Sequence, residues 1–331
     1  MRPIVVLGAG SWGTALAIQF SRGGQPTVLW GRAEDNPEEL ARVRENVRYL
    51  PGAKFPPTLS VEPDLAKALA SGDDVVLVVP SSALRAVLTE IKPSLGPRAR
   101  IAWASKGFEL DTGKLPHQVA REVLGPKVPI AVLSGPTFAK EVGQGLPTAI
   151  AVASPDEDFA RHLAERISSG GFRAYTQSDI VGVEIGGAVK NVLAIATGCS
   201  DGLGYGSNSR VFLITRGLAE LMRLGVALGA KRETLMGLAG LGDLVLTCTD
   251  DQSRNRRFGR ALAAGKPVEA AIAEIGQVVE GYHAAKAVHR VAERHGVDMP
   301  ICRHVYEVLH EKVPLEKVVK SMLQREVTPE N

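Results

Sequence analysis

A lysine and an aspartate stand in apolar segments where their charges need a partner. Lys190 lies in segment 185–196, whose pattern predicts a buried helix, and Asp243 interrupts the apolar segment 240–247. Burial should depress the pKa of Lys190, and a buried carboxylate needs a cation, so the two are natural partners. Such a lysine could protonate a carbonyl oxygen and take the proton back in reverse. The alternatives are a snorkelling lysine, an ion pair with Glu184 and, for Asp243, a helix N-cap.

Other residues are expected around the same lysine. Lys106 follows a predicted strand, and ligands of open α/β sheets bind beyond the carboxyl ends of the strands, although an ordinary loop lysine is the alternative. Gly186 and Gly187 lie one turn before Lys190 and should clear space for an approaching group. The neighbouring cations Lys106 and Arg254 should lower the pKa of Lys190 toward neutrality.

Three arginines crowd the start of a predicted helix. Ser253 has the side chain of an N-cap, and Gly265 would be the residue that ends this helix. Arg254, Arg256 and Arg257 stand in the first turn, where cations oppose the helix dipole. A bound phosphate would reverse that effect, since it accepts from free N–H groups and from a guanidinium. The alternative is a solvated basic face. Nucleic acid is not indicated, because no aromatic residues interleave the arginines.

A glycine-rich turn follows the first apolar run of the chain. Residues 4–7 predict a strand, and the GAGSWG sequence that contains Gly8, Gly10 and Gly13 precedes a helical pattern. Gly8 permits the tight turn, Gly10 lets a pyrophosphate approach the backbone, and Gly13 lets the helix pack close to the strand. The pattern predicts a dinucleotide site, the alternative being a βα turn without a ligand.

The elements that must position these residues predict an α/β protein of two domains. Strands are predicted at 4–7, 27–30, 75–79, 100–104, 130–133, 148–153 and 172–175, alternating with helical patterns. Later helical patterns are at 179–198, 208–229, 254–264, 267–275, 281–295 and 301–310. We expect an N-terminal Rossmann-type doubly wound sheet, residues 1–178, followed by an all-helical C-terminal domain, residues 179–331.

Composition narrows the class of protein. The 331 residues carry a net charge of only +3, which gives no bulk attraction to nucleic acid. Three widely spaced cysteines suggest neither a disulfide framework nor a metal site, and they fit a reducing cytoplasm. No apolar run reaches the ~18 residues of a membrane span.

Taken together, these motifs resemble the bacterial-type NAD(P)-dependent glycerol-3-phosphate dehydrogenases. The resemblance covers essentially the whole chain. It rests on blocks in one order, GAGSWGTALA at 8–17, SKG at 105–107, LSGPTFA at 133–139, GAVKN at 187–191, GLGDL at 240–244, SRN at 253–255 and VVEG at 278–281.

The resemblance implies interconversion of sn-glycerol 3-phosphate and dihydroxyacetone phosphate, which supplies phospholipid synthesis in the cytoplasm. It makes Lys190 the proton donor and acceptor, with Asp243 and Lys106 completing the catalytic set. The substrate positions it implies are Lys106, Gly135, Thr137, Lys190, Asp243, Thr247, Ser253, Arg254 and Asn255. Beside the three glycines, the implied cofactor positions are Ser11, Trp12, Arg32, Lys106, Ala139, Arg254, Val278 and Glu280.

The end of the second strand bears on cofactor choice. An NAD-specific site places an acid there to accept from the ribose 2′-hydroxyl. Here Arg32 occupies that place, and Glu34 and Asp35 come slightly late. Arg32 suits a 2′-phosphate, so we predict that NADP(H) is preferred and NAD(H) is tolerated, with no metal. A solvated turn residue is the alternative for Arg32.

Two other functions compete with this interpretation. A β-hydroxy acid dehydrogenase of the same architecture would use the same lysine, but its anion site would suit a carboxylate, whereas Ser253, Arg254 and Asn255 suit phosphate. A nicotinamide-sensing protein without catalysis would leave the pair of Lys190 and Asp243 without purpose. The apolar faces of the helical half also predict a homodimer.

Overall fold

The computed structural model describes residues 2–323 of the chain. Within that range the strands are β1 (Ile4–Leu7), β2 (Thr27–Trp30), β3 (Leu59–Val61), β4 (Asp74–Leu77), β5 (Arg100–Trp103), β6 (Ile130–Ser134), β7 (Thr148–Ala153) and β8 (Phe172–Gln177). They form one sheet in the order β3-β2-β1-β4-β5-β6-β7-β8. Neighbouring strands are parallel except that β7 runs antiparallel to β6.

Helices connect and cover these strands. They are α1 (Ser11–Arg22), α2 (Pro37–Val43), α3 (Leu65–Ser71), α4 (Leu84–Ile91), α5 (Pro116–Leu124), α6 (Ala139–Gln144) and α7 (Glu157–Ile167). The central strands β1 and β4 are buried along their whole length, as expected for parallel strands with both faces covered. A separate hydrophobic core lies on each face of the sheet.

The second half of the chain is helical as far as it is described. Its helices are α8 (Ile180–Gly202), α9 (Ser207–Ala227), α10 (Arg232–Leu235), α11 (Asp243–Thr249), α12 (Arg254–Ala263), α13 (Val268–Ile275), α14 (Glu280–Arg294), α15 (Pro300–His310) and α16 (Leu315–Leu323). A π-helix, Leu238–Gly242, leads directly into α11. The predicted Rossmann-type sheet followed by a helical domain is therefore confirmed, while the exact division at residue 178 stays a prediction.

Helix α8 is the centre of the third hydrophobic core. It is long and apolar enough to cross a membrane by length and composition alone, but 89% of its most apolar window is buried inside the protein. α11, α12 and α14 pack against it. Because α8 also contacts β6, side chains on its N-terminal half reach the carboxyl ends of the strands.

Candidate active site

The glycine turn between β1 and α1 has the form that a pyrophosphate site requires. Gly8 has a φ of +121°, and a Cβ there would collide with the carbonyl oxygen of Val78. A Cβ at Gly13 would overlap the carbonyl oxygen of Gly8, so the helix packs tightly on the turn. At Gly10, by contrast, an added Cβ would meet no atom of the described chain within 4 Å. The backbone at Gly10 is therefore open to an approaching anion at a helix N-terminus.

The two residues that follow Gly10 differ in how their polar groups are used. The Ser11 hydroxyl donates to the carbonyl oxygen of Tyr49 at 2.8 Å. The indole N–H of Trp12 is buried and has no hydrogen-bond partner within residues 2–323. A buried donor of this kind calls for an explanation, and a ligand that accepts from it is one. The turn thus fits a dinucleotide on an observation independent of its sequence pattern.

Arg32 lies just beyond the end of β2, as expected, but carboxylates surround it. Its side chain is 64% exposed and its Nη2 is 3.1 Å from Oε2 of Glu34. Its backbone N–H donates to Oδ2 of Asp35 at 2.9 Å. The 3₁₀ turn Ala33–Asp35 brings both acids back to Arg32, although the sequence places them slightly late. A 2′-phosphate would therefore compete with Glu34 for this guanidinium.

Lys190 is buried in the middle of α8, with 9% of its side chain exposed. Its Nζ donates to Oδ1 of Asp243 at 2.6 Å and to the Thr247 hydroxyl at 3.0 Å. The two competing interpretations of Lys190 are wrong. The ammonium group does not reach solvent by snorkelling, and Glu184 accepts instead from the indole of Trp103 and from His117. An ammonium has three N–H donors, so one remains for a ligand.

Asp243 is shared between two lysines. Lys106 Nζ donates to Oδ2 at 2.7 Å, while Lys190 takes Oδ1. Although α11 begins at Asp243, its carboxylate is held by these ammonium groups and does not act as the N-cap. One buried carboxylate against two ammonium groups leaves one positive charge in excess, so the cluster favours an anionic ligand.

The π-helix that precedes Asp243 packs against one of the two glycines before Lys190 and explains why that position needs a glycine. A Cβ at Gly186 would collide with the carbonyl oxygen of Ala239, so backbone of the protein fills this space. The expectation that Gly186 clears room for a ligand is therefore wrong. At Gly187 an added Cβ would lie 3.3 Å from the aliphatic stem of Lys106 and 3.3 Å from the Ser134 hydroxyl.

The electrostatic balance sets the protonation of the cluster. Burial is the largest influence on Lys190 and lowers its pKa to about 8, with Asp243 opposing and Lys106 assisting that shift. Burial alone would raise the pKa of Asp243, but the two ammonium groups outweigh it and hold that pKa below its usual range. Lys190 therefore changes its charge near neutral pH, the range in which a proton donor and acceptor is most useful.

The three arginines at the start of α12 differ in what they contact. The Ser253 hydroxyl caps the helix by accepting from the backbone N–H of Arg256. Arg256 is itself buried and ion-paired with Asp201 at 2.6 Å, so it is a structural residue and not part of an anion site. Arg257 is exposed. Arg254 donates to Gln277 at 3.3 Å, next to the implied cofactor position Val278.

A chain of amides links these elements beside Lys190, and sequence reasoning missed its central member. Asn191 donates to Glu280 at 3.1 Å and accepts from Asn255 at 2.9 Å. The Asn255 amide oxygen accepts from the backbone N–H of Gly281. A second polar residue in the apolar helix, directly after Lys190, was the signal that could have revealed Asn191. The network fixes the starts of α12 and α14 against α8.

Of the remaining predicted residues, Gly135, Thr137 and Ala139 lie on the segment after β6, and Val278 lies between α13 and α14. Thr137 donates to the carbonyl oxygen of Gly135 at 3.3 Å, and Ala139 begins α6. Gly135 packs against β7, where an added Cβ would lie 3.1 Å from the Cα of Ile150. Val278 is 51% exposed. Within residues 2–323, no group of three or more His, Cys, Asp or Glu side chains is placed to hold a metal ion.

Comparison with known protein families gives two matches that together span most of the chain. Residues 3–160 match the family model described as NAD-dependent glycerol-3-phosphate dehydrogenase N-terminus. Residues 179–320 match the model described as NAD-dependent glycerol-3-phosphate dehydrogenase C-terminus.

Individual relatives and solved structures agree with these matches. The chain is 55% identical over 324 residues to a glycerol-3-phosphate dehydrogenase [NAD(P)+] from Pseudoalteromonas translucida, covering 98% of this chain and 97% of that protein. A relative of the same name from Methylococcus capsulatus is 56% identical over 328 residues, covering 99% and 98%. The crystal structure of glycerol-3-phosphate dehydrogenase from Coxiella burnetii superposes with a TM-score of 0.94 at 48% identity, covering 98% and 99% of the two chains.

Proposed function

Because this chain belongs to the family of NAD-dependent glycerol-3-phosphate dehydrogenases, we propose that it interconverts dihydroxyacetone phosphate and sn-glycerol 3-phosphate with NAD(P)(H). The observation that carries the proposal is the buried cluster in which Lys190 and Lys106 share Asp243. A lysine with a pKa of about 8 can act in both directions near neutral pH. Members of this family are oxidoreductases that act on a CH–OH group, and the chain is an enzyme of that class.

The chain's own residues manage the proton. A nicotinamide cofactor held at the glycine turn would supply hydride to the carbonyl carbon, and the Lys190 ammonium would protonate the carbonyl oxygen. In the reverse direction the neutral Lys190 amine takes the proton from the hydroxyl. Asp243 holds the amine in place and stabilises its charged form, while Thr247 fixes its orientation by accepting from Nζ. Lys106 keeps the pKa of Lys190 from rising in this pair.

The phosphate of the substrate is the feature that separates this function from oxidation of a β-hydroxy acid. The excess positive charge of the lysine cluster and the half-buried Arg254 favour a doubly charged phosphate over a single carboxylate. Ser253 and Asn255 flank Arg254 at the N-terminus of α12, where backbone N–H groups and the helix dipole also favour an anion. Gly135, Thr137 and Ala139, on the segment after β6, form the opposite side of the proposed site.

The direct test is the oxidation of NADPH with three carbonyl compounds, followed by its absorbance. We expect a much higher kcat/KM for dihydroxyacetone phosphate than for unphosphorylated dihydroxyacetone or for β-keto acids. Loss of the phosphate should remove the charge-assisted hydrogen bonds of Arg254, each of about 1.5–3 kcal/mol. A higher kcat/KM with a β-keto acid would favour the alternative dehydrogenase and contradict the proposal.

The preference for NADPH over NADH is a finer part of the proposal. Arg32 supports it, and Glu34, which contacts that guanidinium, limits it. Comparing kcat/KM for the two cofactors tests the preference. Arg32→Ala should lower the NADPH-to-NADH ratio, whereas Glu34→Gln should raise it by freeing the guanidinium. A strong preference of the unaltered enzyme for NADH would contradict this assignment.

The proposal also covers assembly and location. Three large apolar side chains near the start of α9 are exposed, Tyr205, Val211 and Phe212, which supports a homodimer. Light scattering of the purified protein should give twice the mass of the chain, and a monomer would contradict the proposal. The three cysteines are buried and unpaired, which supports a reducing cytoplasm, where the product would enter phospholipid synthesis.

A further inference from the structure

One hydroxyl at the edge of the candidate site is buried and has no hydrogen-bond partner among the described residues. Ser134 is the last residue of β6 and is 2% exposed. Its Oγ makes no hydrogen bond to any residue in the range 2–323. Buried hydroxyls nearly always have a partner, because they lose their hydrogen bonds to water on burial. A hydroxyl that folding leaves unsatisfied is therefore a candidate for a group that a ligand completes.

The position of this hydroxyl points to the substrate. A Cβ added at Gly187 would lie 3.3 Å from Ser134 Oγ and 3.3 Å from both Cγ and Cδ of Lys106. Ser134 and the stem of Lys106 thus share the space above Gly187, which precedes Lys190 by three residues on α8. Residues three apart on a helix lie on the same face, so the hydroxyl is on the side of α8 that carries the lysine cluster.

Two serines that follow the neighbouring strands already have hydrogen-bond partners. Ser105, after β5, donates to the carbonyl oxygen of Val79 at 2.5 Å. Ser154, after β7, donates to the carbonyl oxygen of Ile130 at 2.6 Å. The hydroxyls of these two serines serve the fold. Ser134, at the carboxyl end of the strand between them in the sheet, has no such hydrogen bond within residues 2–323. Because β7 is antiparallel to β6, Ser154 lies at the opposite edge of the sheet, and Ser105 is the neighbour that shares the edge of Ser134.

We propose that Ser134 is a substrate-binding residue whose hydroxyl donates a hydrogen bond to an oxygen of bound dihydroxyacetone phosphate. The proposal rests on the function proposed above and adds a contact to it. It explains why the cluster tolerates an unsatisfied hydroxyl, since the partner arrives with the substrate.

The test compares Ser134→Ala with Ser154→Ala in two measurements, steady-state kinetics and thermal unfolding. Ser134→Ala should raise the KM for dihydroxyacetone phosphate about 2- to 12-fold, the range for one neutral hydrogen bond. It should leave the KM for NADPH unchanged, and it should not lower the Tm, because no hydrogen bond within the protein is lost. Ser154→Ala should do the opposite, lowering the Tm and leaving both KM values unchanged.

Three results would overturn the proposal. An unchanged KM for dihydroxyacetone phosphate would show that the hydroxyl does not touch the substrate. A lower Tm with unchanged kinetics would show a structural role, and a change confined to the KM for NADPH would assign the hydroxyl to the cofactor. The unaltered enzyme distinguishes failure of the Ser134 proposal from failure of the proposed function. If the unaltered enzyme did not turn over dihydroxyacetone phosphate, the proposed function itself would be contradicted.

Discussion

Replacing Asp243 by asparagine should move the pH dependence of the reaction toward acid. In the unaltered enzyme the carboxylate accepts from Lys190 at 2.6 Å and from Lys106 at 2.7 Å. Asparagine offers one acceptor oxygen and no charge, so two ammonium groups would face each other without a counter-ion. The charged form of Lys190 then becomes less stable, and its pKa must fall below the present value of about 8.

The size of the shift follows from the distance. At the 2.6 Å separation of Lys190 Nζ and Asp243 Oδ1, two unit charges interact by about 6 kcal/mol at an effective dielectric constant of about 20, which corresponds to about 5 pKa units as an upper bound. Relaxation around the altered side chain should reduce this to about 1–3 units. With a fall of about 2 units, the charged fraction of Lys190 at pH 7 would drop from about nine-tenths to about one-tenth.

The two directions of the reaction should respond with opposite signs. Reduction of dihydroxyacetone phosphate needs the protonated lysine, so its kcat/KM is at its maximum below the pKa of Lys190 and falls above that pKa. Oxidation of sn-glycerol 3-phosphate needs the neutral amine, so its rate rises through the same pKa. In Asp243→Asn both limbs should move to lower pH, and reduction at pH 7 should lose about tenfold from protonation alone. Initial rates between pH 5 and 10 in both directions measure this.

A matched control separates this effect from a general loss of structure. Asp201, at the end of α8, has only 6% of its side chain exposed and accepts from Arg256 at 2.6 Å and Arg210 at 2.8 Å. Asp201→Asn should lower the stability and leave the kinetic limb near pH 8. The reasoning would be refuted if Asp243→Asn kept its limb near pH 8 with an unchanged kcat, or if the limb moved toward alkaline pH.

Two further predictions concern the anion sites. Arg254→Ala should raise the KM for dihydroxyacetone phosphate about 10- to 150-fold, because it removes a charge-assisted hydrogen bond. The control Arg260→Ala, farther along the same helix, should leave this KM unchanged. Equal effects of the two substitutions would argue against a phosphate site at the start of α12. Gly10→Ala should leave the Tm unchanged and raise the KM for NADPH, because the added methyl group points into the open space where the anion approaches. Gly13→Ala should lower the Tm, because its methyl group overlaps the Gly8 carbonyl oxygen. The reverse pattern in calorimetry and kinetics would exclude the proposed pyrophosphate site.

The sequence predicts those parts of the fold in which local pattern and burial agree. All seven predicted strands form within two residues of their expected bounds, since buried parallel strands are continuous apolar runs. The edge strand β3 was missed, because its three residues are too few to carry a period. The antiparallel direction of β7 depends on its neighbour β6, which no local pattern encodes.

The candidate site divides in the same way. A charged residue in an apolar helix is visible in the sequence, so Lys190 could be identified before the structure. The sharing of Asp243 with Lys106 could not, since it depends on how the π-helix after α10 packs on α8. The same packing fills the space at Gly186 that sequence reasoning had left for a ligand. The arginine cluster shows the converse error, because the tertiary partner Asp201 makes Arg256 structural.

The most direct test of the central claim is the turnover of Lys190→Met, which keeps an unbranched side chain that is one atom shorter and removes the ammonium group. The account predicts that NADPH binds with unaltered affinity, measured by fluorescence titration, while kcat with dihydroxyacetone phosphate falls by about 10²- to 10⁴-fold at every pH. A variant that turns over within a few-fold of the unaltered enzyme would show that the buried ammonium of α8 is not the proton donor.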